Sequence, residues 1–123
     1  MTRTQARLLV VDDNAVNRCV VHGLLARAGF TQIDQACDGS AALDLFGATA
    51  YDLVITDWQM PVLDGLGLLS AVRSWPDRAR IPVMVVTGSS YDEAVVAGAD
   101  CVLMKPFSRA ELVDNVVRLL SAA

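Results

Sequence analysis

The chain has 123 residues, a length typical of one domain with a hydrophobic core of its own. Hydrophobic residues make up 54% of it and charged residues 20%, which excludes an intrinsically disordered chain. The net charge of −4 argues against direct binding to nucleic acid or to an anionic membrane surface.

The cysteines and the apolar segments bear on where the protein works. Cys19, Cys37 and Cys101 are an odd number at wide spacings, without a CxxC pair, so neither a disulfide framework nor a zinc site is indicated. We therefore predict a cytoplasmic protein. The apolar run Leu8–Val11 is too short for the core of a signal peptide, and no long uncharged apolar stretch follows it, so we expect no membrane insertion.

The first strand and the first helix are predicted from the amino-terminal quarter of the chain. Residues 1–6 are polar and are expected to form a loose lead-in to a strand at Leu8–Val11, which two aspartates end. Asn14 is a candidate N-cap for the helix that follows, and Gly29 is a candidate stop. The apolar residues between them recur every four positions and predict a buried stripe of Val16, Val20, Leu24 and Ala28.

A second strand, a second helix and a third strand follow. The second strand, Gln32–Ala36, is half polar, which is typical of a sheet edge. The Asp38-Gly39 turn begins a helix whose predicted inward residues are Ala42, Leu43 and Phe46. Leu53–Ile55 is a continuous apolar run rich in β-branched residues, the pattern of a strand covered on both faces, and this strand ends on the carboxylate of Asp57.

The second half of the chain repeats the alternation. A third helix begins at Asp64-Gly65 with a predicted apolar face of Leu66, Leu69 and Val72, and it stops before Pro76. A fourth strand, Val83–Val86, ends at Thr87. A short helix is predicted at Tyr91–Ala97, with Gly98 at its end.

The last strand, Cys101–Met104, is ended by Lys105-Pro106. Ser108 and Glu111 have the spacing of a capping box at the start of the last helix. The apolar stripe of that helix is predicted to be Leu112, Val116, Leu119 and Leu120.

Five strand–helix units at this spacing predict an α/β fold, a five-stranded parallel sheet with helices on both faces. The expected strand order is 2-1-3-4-5, as in flavodoxin-like (βα)5 folds, within one domain spanning residues 1–123. In such sheets ligands bind at the carboxyl ends of the strands, near the point between strands one and three where the order reverses. Five polar side chains are expected to meet there, namely Asp12, Asp13, Asp57, Thr87 and Lys105.

These side chains suggest phosphoryl chemistry. Three carboxylates close together repel by about 1 to 4 kcal/mol per pair, so they need a counter-charge, and all-oxygen ligands favour Mg²⁺ or Mn²⁺. Lys105 adds a positive charge, Thr87 a hydroxyl donor, and Asp57 a carboxylate that can act as a nucleophile towards phosphorus. Each residue alone would be a helix cap, a loop hydroxyl or a surface charge; their convergence carries the interpretation.

The chain resembles the receiver domain of two-component response regulators, especially the single-domain chemotaxis receivers. The matching stretches are residues 9–14 (LVVDDN), 56–61 (TDWQMP), 64–66 (DGL), 86–88 (VTG) and 105–107 (KPF). The resemblance implies that Asp57 accepts a phosphoryl group from the phosphohistidine of a histidine kinase or of a histidine phosphotransfer protein. It also implies a Mg²⁺ ion held directly by Asp13, Asp57 and the backbone carbonyl of Gln59, with Asp12 acting partly through water.

The same resemblance implies how the phosphate is held. Thr87 and Lys105 are expected to contact it, together with the backbone at Trp58 and Gly88. The peptide bond between Lys105 and Pro106 is expected to be cis. The implied protein is a phosphoacceptor that promotes its own phosphorylation and dephosphorylation, and not a turnover enzyme.

Two departures from the family pattern, and two positions at which the family tunes its chemistry, concern signalling. Receivers commonly carry Tyr or Phe three residues before the lysine, where this chain has Val102, so the switch that pairs this position with Thr87 lacks its aromatic ring. The 18 positions from Thr87 to Lys105 are about one helical turn fewer than the family commonly has, which predicts that the fourth helix or the loop leading into it is shortened. Gln59 and Ser89 occupy positions that tune access of hydrolytic water in the family.

Residues around the site have weaker interpretations. Cys19 and His22 are three apart, but two ligands make a weak metal site, and a semi-buried cysteine and a surface histidine are expected. Trp58 is predicted to be partly exposed at the rim, and Trp75 to be a structural loop residue. Tyr91, or a shift of the short fourth helix, is a candidate to carry the signal. The part of helix one that is expected to meet the phosphodonor contains Asn17, Arg18, Val21 and His22.

Several functions remain open at this point. The leading one is a phosphorylation switch that acts on an unknown output protein, and a variant is a receiver cut from a hybrid kinase, which the opening Asp12–Arg18 also resembles. A Mg²⁺-dependent phosphohydrolase predicts a second acid where Gln59 stands. A flavin-binding electron carrier of the same topology would have a loop rich in Ser, Thr and Gly where this chain has Asp12-Asp13, which would repel a phosphate that lacks a metal. A pseudo-receiver that serves only as an interaction module is a further alternative, and the complete acid pocket argues against it.

Overall fold

The computed structural model describes residues 1–121, in which five strands alternate with five helices. The strands are β1 (Arg7–Val11), β2 (Gln32–Ala36), β3 (Leu53–Asp57), β4 (Val83–Thr87) and β5 (Cys101–Met104). The helices are α1 (Ala15–Arg27), α2 (Gly39–Ala48), α3 (Gly65–Arg73), α4 (Tyr91–Val96) and α5 (Arg109–Ser121). Every strand pair is parallel and the order is β2-β1-β3-β4-β5, which confirms the predicted fold class.

The sheet separates two hydrophobic cores. Successive residues of a strand point to opposite faces, so Leu8 and Val10 of β1 join the core under α1 and α5, whereas Leu9 and Val11 join the core under α2, α3 and α4. All four side chains are almost fully buried. Each contributes about 1.5 to 3 kcal/mol of hydrophobic stabilisation, which holds the carboxyl ends of the central strands in place.

The buried face of α1 differs from the prediction. Val16 is 71% exposed and Val20 is 50% exposed, whereas Val21 and Leu25 are buried. Residues four apart on a helix are rotated by about 40° beyond a full turn, so a strict four-residue repeat winds away from the sheet. The helix buries Val21 and Leu25 most fully, while the other two predicted residues, Leu24 and Ala28, are partly buried and pack against the same core.

The face of α3 needs a similar correction. Leu66, predicted to face inward, is 48% exposed, while Leu68, Leu69 and Val72 are buried. Leu66 and Leu68 are two positions apart, which is about 200° around an α-helix. The helix buries Leu68, so Leu66 faces solvent.

The segment before β1 is a hydrogen-bonded turn and not the loose lead-in that was expected. The backbone N–H groups of Gln5 and Ala6 both donate to the carbonyl of Thr2, and Ala6 is fully buried. The Arg3 guanidinium donates to the carbonyl of Ala28 at 2.7 Å. These contacts attach the segment to the end of α1.

Polar caps fix where the helices begin. The side chains of Asn14, Asp38 and Asp64 each accept a backbone N–H in the first turn of α1, α2 and α3. Ser108 and Glu111 exchange side-chain-to-backbone hydrogen bonds, which confirms the predicted capping box of α5. Each cap contributes about 1 kcal/mol. The first three stand just beyond the strands and so shape the loops around the site.

Helix α4 is short, as expected. It has six residues, and Ala94 is the buried one among them. Gly98, with a φ of 98°, follows the helix in the left-handed conformation that glycine adopts most readily.

Candidate functional site

The site lies where four neighbouring strands end. Asp57 is the last residue of β3 and Thr87 the last of β4, while Asp12 and Lys105 directly follow β1 and β5. The parallel register aligns these ends. Val11 of β1 pairs with Thr56 of β3, Asp57 of β3 pairs with Val86 of β4, and Thr87 of β4 pairs with Met104 of β5. A continuous hydrogen-bonded sheet therefore holds side chains that are far apart in the sequence.

The three aspartates form a cluster. One carboxylate oxygen from each of Asp12, Asp13 and Asp57 lies within 4.8 Å of the others. The ammonium nitrogen of Lys105 lies 3.5 Å from Asp57 Oδ2 and 3.9 Å from Asp12 Oδ2. One ammonium group thus pairs with two of the three carboxylates, which leaves an excess of negative charge in the cluster.

Asp12 is the most buried of the three acids. Its side chain is buried, and burial raises the pKa of its carboxyl group above the usual range. The N–H of Asn14, which donates to Asp12 Oδ1 at 2.9 Å, and the charge of Lys105 act against this shift, whereas the charges of Asp57 and Asp13 reinforce it. An all-oxygen cluster that lacks positive charge fits a hard divalent cation such as Mg²⁺ or Mn²⁺.

The Asp57 carboxylate is oriented by its own neighbour in the chain. The backbone N–H of Trp58 donates to Asp57 Oδ1 at 2.7 Å. Gly65 supports this backbone from α3: its N–H donates to the Trp58 carbonyl at 2.8 Å, and a Cβ at this position would lie 2.6 Å from the Asp57 carbonyl oxygen. In the sequence Gly65 is visible only as part of a helix start, because its close approach to Asp57 depends on the tertiary structure.

Thr87 is buried, at 2% exposure, and its hydroxyl belongs to a loop. Thr87 Oγ1 accepts the backbone N–H of Ser89 at 3.3 Å and that of Ser90 at 3.1 Å. Both of its described hydrogen bonds are therefore with the segment that leads into α4. Because the oxygen acts as acceptor in both, its own hydrogen remains available for donation.

The remaining predicted site residues lie around this edge. Gln59, Gly88 and Ser89 are exposed in the loops after β3 and β4. Val102 in β5 is half-buried and packs against the core under α2, α3 and α4. The peptide bond Lys105–Pro106 is cis, as expected.

Trp58 differs from its prediction. The side chain is only 5% exposed, and its indole Nε1 donates to Glu93 Oε2 in α4 at 3.1 Å. No local signal in the sequence pairs residues 35 positions apart. Trp75 is half-buried and meets the ring of Phe46 edge-on, which agrees with a structural role.

Two helix-one residues also differ from expectation. Cys19 is exposed and not semi-buried, and His22 is half-buried and not on the open surface. The guanidinium of Arg18, predicted to face a partner, donates to the carbonyl of Asp12 at 2.7 Å and to Gln35 Oε1 at 3.1 Å. Arg18 thus also holds the loop after β1.

A cavity of about 280 Å³ adjoins the acid cluster. Its floor includes Asp57 and Lys105, and its walls are apolar residues of α1 and the segment after β5, among them Val20, Leu24 and Phe107. The carboxylate is therefore reachable from a mostly apolar groove. Within residues 1–121, none of the helices is both long and apolar enough to span a bilayer.

Known proteins with similar sequences and structures are receivers. The response regulator receiver domain profile matches residues 8–117. Chemotaxis protein CheY-3 of Vibrio cholerae and chemotaxis protein CheY of Pseudomonas aeruginosa are each 32% identical over 117 residues, covering 92% of this chain and 90% and 94% of their own.

A solved structure with the same fold contains the metal that the acid cluster suggests. The receiver domain of the sensor histidine kinase PA1611 from Pseudomonas aeruginosa, with magnesium coordinated in its active site cleft, superposes with a TM-score of 0.87. It is 29% identical, and the match covers 94% of this chain and 98% of that one. Receivers are signalling proteins and not turnover enzymes. From the profile match, the sequence relatives and the shared architecture, the chain belongs to the response regulator receiver domain family of two-component systems.

Proposed function

We propose that Asp57 accepts a phosphoryl group, in a Mg²⁺-dependent reaction, from the phosphohistidine of a histidine kinase or of a histidine phosphotransfer protein. Phosphorylation then changes the affinity for an output protein. The observation that carries the proposal is the position of the Asp57 carboxylate, 3.5 Å from Lys105 Nζ and within 4.8 Å of two other carboxylates at the mouth of a groove.

The chemistry balances without a further reactant. A carboxylate oxygen of Asp57 attacks phosphorus, the phosphorus–oxygen bond forms, and the phosphorus–nitrogen bond of the donor breaks. The imidazole nitrogen keeps the bonding electron pair. The Trp58 N–H holds the carboxylate in position for this attack, and Lys105 stabilises the negative charge of the phosphoryl oxygens.

Thr87 and two backbone groups complete the phosphate site in this proposal. The free hydroxyl hydrogen of Thr87 is suited to donate to a phosphoryl oxygen, and the N–H groups at Trp58 and Gly88 are suited to the remaining oxygens. Gln59 and Ser89 are exposed near the site, where their side chains can tune the access of the water that removes the phosphoryl group.

The residues that would hold Mg²⁺ or Mn²⁺ are Asp12, Asp13, Asp57 and the backbone carbonyl of Gln59. The donor set supports this assignment, since it consists of oxygens alone and carries more negative charge than Lys105 neutralises. When bound, the ion supplies the positive charge that lets phosphoryl oxygens approach a cluster of carboxylates.

Intact-protein mass spectrometry tests the proposal directly. The chain is incubated with a small phosphodonor such as phosphoramidate, with Mg²⁺ or with EDTA. We expect one phosphoryl adduct that requires the metal, is absent in Asp57→Asn and persists in the matched control Asp44→Asn, which alters an exposed aspartate on α2. An adduct in Asp57→Asn, or repeated release of phosphate from simple esters, would contradict the assignment.

A second candidate function is a receiver within a phosphorelay, cut from a hybrid kinase. The similarity to the receiver of a sensor histidine kinase favours it. This candidate predicts that the phosphoryl group on Asp57 moves on to a separate histidine phosphotransfer protein. The test incubates the phosphorylated chain with a panel of such proteins. If none of them receives the phosphoryl group and it is lost only by hydrolysis, the stand-alone switch is favoured.

A further inference from the structure

One residue, Trp58, contacts both the phosphoacceptor and helix α4. Its backbone N–H donates to Asp57 Oδ1 at 2.7 Å, and its indole N–H donates to Glu93 Oε2 at 3.1 Å. The indole ring is buried, so its position is determined by packing and by these two hydrogen bonds. A covalent change at Asp57 therefore lies one residue away from a side chain bonded to α4.

Helix α4 is short and buries little of its surface. It has six residues, Ala94 is the buried one among them, and its N-cap residue Ser90 makes no side-chain capping bond. The preceding loop depends on the two N–H groups that bond to Thr87 Oγ1. A hydrogen bond to a charged acceptor is stronger than one between neutral groups, so the Trp58–Glu93 bond helps to position this helix.

The position that commonly carries an aromatic ring cannot substitute for this link. The side chain of Val102 has no polar atom, and it is half-buried among apolar neighbours. It therefore cannot make or break a hydrogen bond when Thr87 moves. A connection from the acceptor to α4 has to use other side chains.

We propose that the Trp58–Glu93 hydrogen bond transmits the phosphorylation state of Asp57 to α4, with Glu93 as a positioning residue that acts through Trp58. The inference rests on the proposed function and deepens it. The Asp57 carboxylate loses its negative charge when it becomes an acyl phosphate, whereas the arriving phosphoryl oxygens are themselves negatively charged and become the stronger acceptors for the Trp58 N–H.

The change at the backbone reaches the indole because Trp58 is held tightly. Its Cα and ring carbon Cε3 lie so close to Gly65 that an added Cβ there would be 2.8 and 3.0 Å away. The ring consequently moves with its backbone, and the bond to Glu93 changes with it. Because α4 exposes Tyr91, Val95 and Val96, a reorientation of the helix alters the surface offered to a partner.

Hydrogen exchange measured by mass spectrometry tests the link in the full chain. Exchange of residues 88–98 is compared with and without Mg²⁺ and beryllofluoride, an analogue of the phosphoryl group. In the unmodified chain we expect a change of about fivefold, which corresponds to about 1 kcal/mol. Glu93→Ala should abolish this response, and Glu93→Gln, which keeps an oxygen acceptor, should restore it.

Two controls separate a specific link from general destabilisation. Asp92→Ala removes the neighbouring acid in the first turn of α4 and should leave the response intact, since Asp92 shares the charge and helix position but not the bond to Trp58. In a Trp75→Phe background the fluorescence comes from Trp58 alone. Its emission should change with the analogue, lose this change in Glu93→Ala and regain it in Glu93→Gln.

Phosphoryl uptake is measured by mass for every variant. If the unmodified chain takes up no phosphoryl group, the proposed function fails. If uptake is normal but the exchange of α4 does not respond, or responds equally in Glu93→Ala, the inference is wrong while the proposed function stands.

Discussion

The contact between Gly65 and the backbone at Asp57 and Trp58 leads to a quantitative prediction for Gly65→Ala. The added Cβ would lie 2.6 Å from the Asp57 carbonyl oxygen and 2.8 Å from Trp58 Cα. Non-bonded carbon atoms prefer about 3.5 to 4.0 Å, so the backbone must shift by about 1 Å. Both partners are main-chain atoms, which cannot rotate away as a side chain could.

The expected cost is a net loss of about 3 kcal/mol in the free energy of unfolding. Overpacking at a site that cannot relax costs up to about 3 kcal/mol, and weakening of the Gly65 N–H bond to the Trp58 carbonyl adds about 1 kcal/mol. The higher helix propensity of alanine returns up to about 1 kcal/mol. The same shift moves the Trp58 N–H that orients Asp57, so phosphoryl uptake should also slow.

Two other glycines provide matched controls. Gly23 in α1 has nothing within 4 Å of an added Cβ, so Gly23→Ala should stabilise by about 0.5 to 1 kcal/mol. At Gly67 the closest atom is Leu63 Cδ1, the end of a flexible side chain, so Gly67→Ala should cost less than Gly65→Ala. Urea unfolding gives the three free energies, and mass spectrometry gives uptake. A cost below about 1 kcal/mol for Gly65→Ala, with normal uptake, would refute the reasoning.

Three further perturbations follow from particular contacts. Val62 has a φ of 71° and a side chain that is 82% exposed. Val62→Asn should therefore relieve left-handed strain and raise the free energy of unfolding, measured by urea denaturation, by about 1 kcal/mol. An unchanged free energy would show that Val62 is not strained. The buried Tyr51 hydroxyl donates to Asp34 Oδ2 at 2.6 Å, and burial with this bond raises the pKa of Tyr51 to about 12. Between pH 10 and 12 the Tyr51 hydroxyl keeps its proton in the folded protein but loses it in the unfolded chain. The free energy of unfolding should therefore fall as the pH rises through this interval, and it should fall less steeply in Tyr51→Phe. Asp13→Asn removes one of three mutually repelling carboxylates, so it should stabilise the metal-free protein by up to about 1 kcal/mol. It should also diminish the rise in melting temperature on adding Mg²⁺. If that rise is unchanged, Asp13 is not a metal ligand.

Much of the site could be predicted because its residues lie at the ends of strands or directly after them. The runs before Asp57, Thr87 and Lys105 are short and apolar, and the first two are rich in β-branched residues, so their ends are visible in the sequence. The order of a five-stranded parallel sheet then brings those ends to one edge. These steps use local composition and one general rule of topology, and the observed strand bounds and order agree with both.

Helix faces were harder to predict because a helix can present more than one apolar side. In α1 the sequence offers Val16, Val20, Val21 and Leu25, and only the last two are buried. The choice depends on how the helix is rotated against the sheet. That rotation follows from the packing of all its neighbours and from the caps at its ends.

The sequence by itself determined the alternation of strands and helices, the acid cluster and its lysine, because backbone preference, burial pattern and turn chemistry are local properties. Only the tertiary structure decided that Gly65 touches the Asp57 backbone and that Trp58 is buried against α4 with its indole bonded to Glu93. Such contacts join residues on different elements, and their distances depend on how those elements pack. Short-range sequence patterns carry no information about that packing, so the contacts of Gly65 and Trp58 that support the site are visible only in the folded chain.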